Sequence, residues 1–487
     1  MSKFNPSNSM RTTNKSGHAA YKMGDKDKLI TQVLTSFFNE PKYYGDNSGD
    51  IVDLLKSAAA NEPEFVAQLG IFARTQFNMR SISHVIGAVL ANVEAGKPYT
   101  RRYVNRVCRR ADDMTEILAC YISMFGKPIP NSLKKGLTDA LRRFDEYSLA
   151  KYDRDGAVKI RDMIQICHPA PKTKEQEALW KKALERNLET PTTWETQLSA
   201  NGNNAETWEK LIADNSLGYM AMLRNMRNIL EAQPNNLSMV YYSISDAERV
   251  KKSRVLPFRF YSAYQELKSH PKSTSRTIDA LESAIEASTA NIPLLAGKTL
   301  VAIDVSGSMG GPVSQKSKST CRDIACLIGS IANKICEDAL VVTFDTSIRK
   351  HTFSRNAGIL DSADSMGAHG GGTDIHLPFQ YLIENKLPVD RVVLLSDNEI
   401  NRGLSYNGYG WYGRRNKTVQ QTADECREKL NKDMWVHAID LQGYGTQQFI
   451  GNRTNIIAGW SEKILEFISL TENGTDSLMK RIESIEI

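Results

Sequence analysis

A helical array followed by a doubly wound α/β domain is the fold class predicted for this chain of 487 residues. Three observations predict it. First, from about residue 26 to residue 290 short amphipathic stretches such as SGDIVDLLKSAAA, SISHVIGAVLANVEAG and PNSLKKGLTDALRRF follow one another, separated by Pro, Gly or Asn. Second, near residue 298 the pattern changes: KTLVAID, DALVVTFD, DRVVLLSD and MWVHAID are continuous β-rich apolar runs, each ending in an acid. Third, helix-like segments, among them TCRDIACLIGSIANKI and ADECREKLNKD, lie between some of those runs. Near-continuous apolar strands alternating with helices indicate a parallel sheet covered on both faces.

The elements then follow in order. Residues 1–25, rich in Ser, Asn and Lys, read as a flexible arm. Residues 26–290 read as short helices with brief connections, a stacked array or α-solenoid with no fixed sequence period. In TIDALESAIEAS, for example, Ile278, Leu281 and Ile285 fall on one face at spacings of three and four. Residues 291–487 read as the α/β domain. The length agrees, since it exceeds what one hydrophobic core usually organises.

Composition bounds the function. A content of 41 % hydrophobic and 24 % charged residues is ordinary for a globular protein. The net charge of +6, from 62 basic and 56 acidic residues, is too small to nominate nucleic acid by itself. Its distribution says more: residues 70–160 hold 16 Lys and Arg against 9 Asp and Glu, including Arg101, Arg102, Arg106, Arg109 and Arg110. Such a run is either a solvated helix face or a surface for phosphates. The seven cysteines are odd in number, scattered and never spaced C-x-x-C, which argues against a disulfide framework and a zinc site and for a reducing compartment. The N-terminal MSKFNPSNSMRTTNKSG lacks the apolar core of a secretory signal, and no run of about 18 apolar residues occurs. The expected location is the cytoplasm.

The stretch DVSGSMGG, residues 304–311, carries the chemistry. Ligands of open α/β sheets bind beyond the carboxyl ends of the strands, where strand order reverses. Asp304 ends one predicted strand, Asp397 ends another, and GAHGGGTD places Thr373 on a glycine-rich loop between them. Asp304, Ser306, Ser308, Thr373 and Asp397 offer only oxygen, as a hard divalent cation such as Mg²⁺ or Mn²⁺ prefers. Two other readings stand beside this one. Asp and Ser cap helices in glycine-permitted turns. A serine nucleophile could draw on His369 or His376, although GSMGG departs from the G-x-S-x-G elbow because residue 306 is Ser. No G-x-x-x-x-G-K-[ST] phosphate loop occurs.

Asp-x-Ser-x-Ser, a distant Thr and then Asp resembles the metal-ion-dependent adhesion site of von Willebrand factor A domains, with all five positions filled. That resemblance implies direct coordination by Ser306, Ser308 and Thr373, with Asp304 and Asp397 acting largely through water. Upstream, NSLKKGLTDALRRFDEYSLAKYDR, KIRDMIQICHPAPK, LGYMAMLRNMRNI and LPFRFYSAY, followed by DVSGSM, GGTD and SDNE, resemble the Ro autoantigen family with its TROVE module, from roughly residue 20 to residue 470. The resemblance implies a ring of HEAT-like helical repeats closed by a von Willebrand A domain. It implies a noncatalytic RNA-binding protein acting in RNA quality control as a ribonucleoprotein scaffold. Small noncoding Y-like RNA would bind the outer surface, and single-stranded 3′ ends of misfolded RNA would enter a central hole. An exoribonuclease or RNA ligase is the implied working partner.

The residues carry part of that expectation themselves. Lys151, Tyr152, Arg154, Lys159, Arg161 and His168 supply cations and rings within a short span, as RNA recognition requires. Lys151, Arg154 and His168 match the family stretch associated with Y RNA. The bland alternative is a solvated basic helix with His168 as a cap before Pro169. In MLRNMRN, Met222, Leu223 and Met226 read as a core face, and Arg224 and Arg227 read as channel-facing or as bonded to neighbouring helices. NRGLSYNGYGWYGRRNK interleaves aromatic and basic residues, including Arg414, Arg415 and Lys417, in a manner suited to single strands or to a surface loop. A metal-dependent adhesion or assembly module that binds an acidic protein partner is the rival expectation.

Overall fold

The computed structural model describes residues 11–13, 19–22, 25–35, 49–153, 156–312, 319–354, 356–367, 370–397, 417–441, 446–458, 464–473 and 480–487. The chain divides into two compact units, one formed by Met1–Lys28 with Asn201–Thr475 and the other by Leu29–Ala200 with Asp476–Ile487.

The second unit is helical. Gly49–Asn61, Pro63–Gln76, Ser81–Asn92, Lys97–Val107, Ala111–Phe125, Asn131–Leu141, Glu146–Tyr152, Ile160–Cys167 and Lys174–Glu185 succeed one another. Along this run a helix packs on the next or the next but one, the pattern of stacked helical hairpins. The apolar stripes predicted from the sequence face inward: Val85, Ile86, Val89 and Leu90 of one helix, and Leu133, Leu137 and Leu141 of another, are buried.

The most densely bonded polar group in this unit is Asp113, whose side chain is fully buried. It accepts from Arg74 Nη2 at 3.1 Å, Arg80 Nη2 at 2.7 Å and the Arg109 and Arg110 amides at 2.9 Å each, and it meets His84 Nε2 at 3.0 Å. Burial opposes ionisation, but His84, Arg80 and Arg74 outweigh it and hold this carboxyl far below the usual range. Much of the arginine excess is consumed in the same way. Arg110 forks onto Asp112 at 3.0 and 2.7 Å, Arg101 and Arg142 share Asp139, and Arg143 reaches the carbonyls of Asn105 and Cys108 at 2.7 Å each.

The other unit holds the sheet. Its strands are β1 (Arg11–Thr13), β2 (Ala19–Lys22), β3 (Leu295–Asp304), β4 (Cys336–Phe344), β5 (Ile348–His351), β6 (Arg391–Ser396), β7 (Trp435–Asp440), β8 (Thr446–Gln447) and β9 (Thr454–Ala458). The large sheet runs β5-β4-β3-β6-β7-β9, all parallel except the β4–β5 pair. Leu300, Ala302, Val392, Leu394, Val436 and Ala438 pack on Phe379 and Leu382 of the helix His376–Glu384 and on Ala423 and Cys426 of the helix Val419–Lys429. The helix Cys321–Ile335 packs on β3 and β4. Its Gly329 lies so close to Ile303 that a Cβ there would overlap the Ile303 Cδ1. The doubly wound expectation therefore holds. Within the predicted flexible arm, β1 and β2 form an antiparallel pair that continues onto β8. This pairing rests on backbone hydrogen bonds, which leave no apolar alternation for a sequence to display.

Helices from Ala205 onward share this unit. Glu282, on the helix Ser275–Ser288, accepts from the amides of Ile359 and Leu360 at 2.5 and 3.1 Å, capping the helix Ile359–Ser365. Glu286 of the same helix pairs with Lys334 at 2.7 Å. All seven cysteines are free. No described helix is long and apolar enough to cross a membrane.

Replacing Asp113 by Ala leaves Arg74 buried without its partner and is expected to cost about 3–5 kcal/mol in urea melts at pH 7. Because the folded carboxyl titrates below the unfolded value of about 3.9, its contribution is present above that pH and lost as pH falls below it. The gap between wild type and variant should therefore shrink in melts near pH 3. Gly329→Ala is expected to cost about 1–3 kcal/mol by overpacking against Ile303, read by the same melts.

Candidate metal centre and nucleic-acid surface

β3 lies inside the sheet, and the chain leaves it first to β4 on one side and later to β6 on the other. Strand order therefore reverses between β3 and β6, which opens a crevice at their carboxyl ends. Asp304 ends β3, and Asp397 follows the last residue of β6. Asp304, Ser306, Thr373 and Asp397 are buried, whereas Ser308 is exposed and gives the crevice its mouth.

Direct bonds fasten the segments together. Asp304 Oδ1 accepts from the Ser306 amide at 2.9 Å, and its Oδ2 accepts from Ser396 Oγ at 2.6 Å. Ser306 and Ser308 hydroxyls lie 3.1 Å apart. The glycine loop docks through the Gly307 amide, which donates to the Gly371 carbonyl at 3.1 Å, and through the Asp374 amide, which donates to the Asp345 carbonyl at 3.0 Å. A Cβ at Gly371 would sit 3.3 Å from the Thr346 side chain, a tight contact that Thr346 would have to ease by a few tenths of an ångström. The structure thus brings Asp304, Ser306, Ser308 and the Thr373 loop to one crevice, with Asp397 beside them.

Burial, joined by the negative charge of Asp397, pushes the Asp304 carboxyl up to about 7 against the bonds from Ser306 and Ser396. Two buried carboxyl groups, the buried Ser306 and Thr373 hydroxyls and the exposed Ser308 hydroxyl make an all-oxygen donor set, the kind that hard divalent cations take.

Three contributors escape sequence reasoning. Ser396, the last residue of β6, holds Asp304 in place. Arg322 donates Nη2 to the Ser306 carbonyl at 3.2 Å, placing a cation on the rim. Asp345 follows β4, is buried, and accepts from the Ser347 amide at 2.9 Å. Although burial opposes it, that amide and Arg349 hold Asp345 below the usual carboxylate range. The acid closing DALVVTFD and the second Asp-x-Ser at Asp345–Ser347 are the signals that mark it.

His376 opens its helix with its ring buried, and its Nδ1 bonds Thr422 Oγ1 at 2.9 Å. Burial pushes its pKa down to about 4, so the ring is neutral at pH 7. It is engaged by a neighbouring helix, while Ser306 bonds Ser308 and its amide bonds Asp304. His369 lies outside the described residues.

The basic stretch forms a second site. Lys151, in the last turn of Glu146–Tyr152, lies over the rings of Tyr147 and Tyr152 at 5.4 and 5.7 Å. It lines a cleft of about 400 Å³ together with Lys159 and Arg161. Arg154 lies outside the described residues. His168 is exposed, with φ 48°, and ends the helix Ile160–Cys167 through its amide on the Ile164 carbonyl at 2.9 Å. Arg224 and Arg227 belong to the other unit, exposed on the helix Tyr219–Ala232. Met222, Leu223 and Met226 of that helix are buried, as their spacing predicts. Arg227 is paired with Glu231 at 3.1 Å and Glu266 at 3.9 Å. Arg414 and Arg415 lie outside the described residues, and Lys417 pairs with Glu425 at 2.7 Å.

Comparison with known proteins places these sites in context. The TROVE domain matches residues 30–190 and 182–292, and the Ro60 vWA domain matches residues 298–406. RNA-binding protein RO60 of Caenorhabditis elegans is 26 % identical over 198 residues, covering 38 % of this chain and 31 % of that protein. Its Deinococcus radiodurans namesake is 27 % identical over 235 residues, covering 44 % and 41 %. Telomerase protein component 1 of Rattus norvegicus is 30 % identical over 131 residues, 26 % of this chain and 5 % of that one. The chain thus spans less than half the length of these relatives. The crystal structure of the Deinococcus radiodurans RO (RSR) protein has the same fold, with a TM-score of 0.66 at 17 % identity, covering 94 % of this chain and all of that one. With its helices matched from residue 30 to residue 292 and a Ro60-type vWA domain after them, the chain belongs to the TROVE domain family.

Proposed function

We propose that this protein is a noncatalytic RNA-binding protein of the Ro type, a ribonucleoprotein scaffold for RNA quality control in the cytoplasm. It holds a small structured, Y-like RNA on a basic surface and takes single-stranded 3′ ends of misfolded RNA at a second one. The observation that carries this reading is the gathering of Lys151, Lys159 and Arg161 on one cleft within the TROVE-matched residues, since phosphate recognition needs several cations on one surface. The exposed Tyr147 ring beside Lys151 adds a stacking surface for an unpaired base, whereas the Tyr152 ring is already covered by Arg110 at 4.4 Å. The nematode and Deinococcus relatives, both named RNA-binding proteins, point the same way. His376 has its Nδ1 on Thr422 and, among the described residues, no bond to Ser306 or Ser308, which favours a scaffold over a serine hydrolase. An exoribonuclease or RNA ligase would act on what the scaffold presents.

The crevice is a Mg²⁺ or Mn²⁺ site in this reading. The donor set supports it: Asp304 and Asp397 are buried together, Ser306 and Ser308 stand 3.1 Å apart, and a cation relieves the carboxylate repulsion. Ser306, Ser308 and Thr373 would bind directly, and Asp304 and Asp397 through water. An ion held mainly by neutral hydroxyls keeps positive charge for an incoming carboxylate. The exposed Ser308 and the Arg322 guanidinium at the rim favour a second role as a grip on an acidic protein partner.

Thr373→Ala and Asp304→Ala should each weaken Mn²⁺ binding at least about tenfold in titration calorimetry, the scale of losing a hydrogen-bonding or ionic ligand, while circular dichroism of the helical part stays unchanged. Unchanged affinity in both variants defeats the metal assignment. Exchanging Lys151 and Arg154 for Glu should weaken a structured hairpin RNA strongly and flatten the slope of log K against log salt by about 0.9 per lost phosphate contact. The loss should be smaller for an RNA whose main handle is a single-stranded 3′ tail. Filter binding across a salt series decides: equal losses mean one shared surface, and no loss means a solvated face.

A further inference from the structure

The cleft between the Glu146–Tyr152 and Ile160–Cys167 helices and the chain after Lys174–Glu185 has a charge and a size that backbone tracking does not explain. At about 400 Å³ it lies at the small end of small-molecule sites, which run from about 300 to 1,000 Å³. It is too small for a duplex and adequate for one nucleotide. Among the described residues its charged lining is Lys151, Lys159, Arg161 and Arg186 against Asp153 and Glu195, four positive minus two negative, an excess of +2.

A phosphodiester within a strand carries one negative charge, whereas a terminal phosphomonoester carries about −1.5 to −2 at pH 7. The net charge of the lining matches the second. Asp153 is also occupied within the fold, since its Oδ1 accepts from the Ile160 amide at 3.1 Å. Arg161 is a further cation of the lining, and a planar guanidinium suits the oxygens of a phosphate. The same lining includes the apolar Leu188 and Pro191 and the hydroxyl of Thr190, the kinds of surface a base and its sugar need.

We propose that this cleft is a phosphomonoester site that takes one terminal nucleotide, its phosphate on Arg161, Lys151 and Arg186 and its base against Leu188 and Pro191. The nucleotide comes either from the phosphorylated 5′ end of an RNA, which rests on the RNA-binding reading above, or from a free nucleoside monophosphate, which does not.

The test uses the full chain in phosphate-free buffer. Adenosine 5′-monophosphate and adenosine are compared by titration calorimetry, and one single-stranded RNA with a 5′-phosphate or a 5′-hydroxyl is compared by filter binding. The phosphorylated ligand should bind about tenfold more tightly in each pair, and Arg161→Gln should remove that difference, as loss of a charge-assisted bond does. Arg186→Asn, which keeps a residue tolerant of the left-handed φ of 60° at that position, should also reduce it. It carries the test if Arg161→Gln does not fold. A difference in the mononucleotide pair alone assigns the site to free nucleotide, and one in the RNA pair alone assigns it to RNA ends. If neither RNA binds while the monophosphate does, the RNA reading fails and the site stands. Equal binding within both pairs, or a difference that survives both substitutions, overturns the proposal.

Discussion

Everything at the crevice depends on where β3 sits. A strand with neighbours on both sides, reached by crossovers in opposite directions, leaves a gap above its carboxyl end that no crossover covers. Asp304 is the residue at that point, and its two carboxylate oxygens are spent on different segments, one on the Ser306 amide and one on the β6 hydroxyl of Ser396. The acid therefore ties the loop after β3 to the end of β6. Its burial beside Asp397 works against its own ionisation, and the glycine loop closes against the crevice through backbone bonds that need no side chain.

The helical unit is organised around the same device with the opposite outcome. Asp113 is also a buried acid, but it is surrounded by Arg74, Arg80 and His84 and by two amides, so its charge is fully answered. One buried carboxylate is satisfied and structural, and the other is short of cations and available. The difference lies in the neighbours rather than in the residue, which is why charge counts along the chain say little about which acid or base is exposed to a ligand.

Much of the architecture was legible because its signals are local. Apolar runs ending in acids marked β3, β4, β6 and β7, and 3.6-residue stripes marked the helices. That Asp304 and Asp397 come at the carboxyl ends of neighbouring strands was legible, because the apolar runs before them mark where β3 and β6 stop. Ser396 and Arg322 were not, since their part depends on register with β3 and on the approach of a helix terminus. The arginine run was misleading for a similar reason: Asp139 lies 38 residues from Arg101, and nothing between them announces the pairing. The β1–β2 pair left no trace because a ladder of backbone bonds is indifferent to side chains.

Glu282 links the last long helix before the sheet to the segment leading into the glycine loop. Its carboxylate supplies acceptors for amides at the start of the helix Ile359–Ser365, which its own backbone cannot satisfy. That helix ends only a few residues before Gly370, so its fraying would loosen the anchor of the loop that carries Thr373. Opening at the Ser275–Ser288 contact would therefore be felt at the Ile359 and Leu360 amides first, so the stability of the stretch that leads into the glycine loop is set in part by a carboxylate from a helix well before it in the chain.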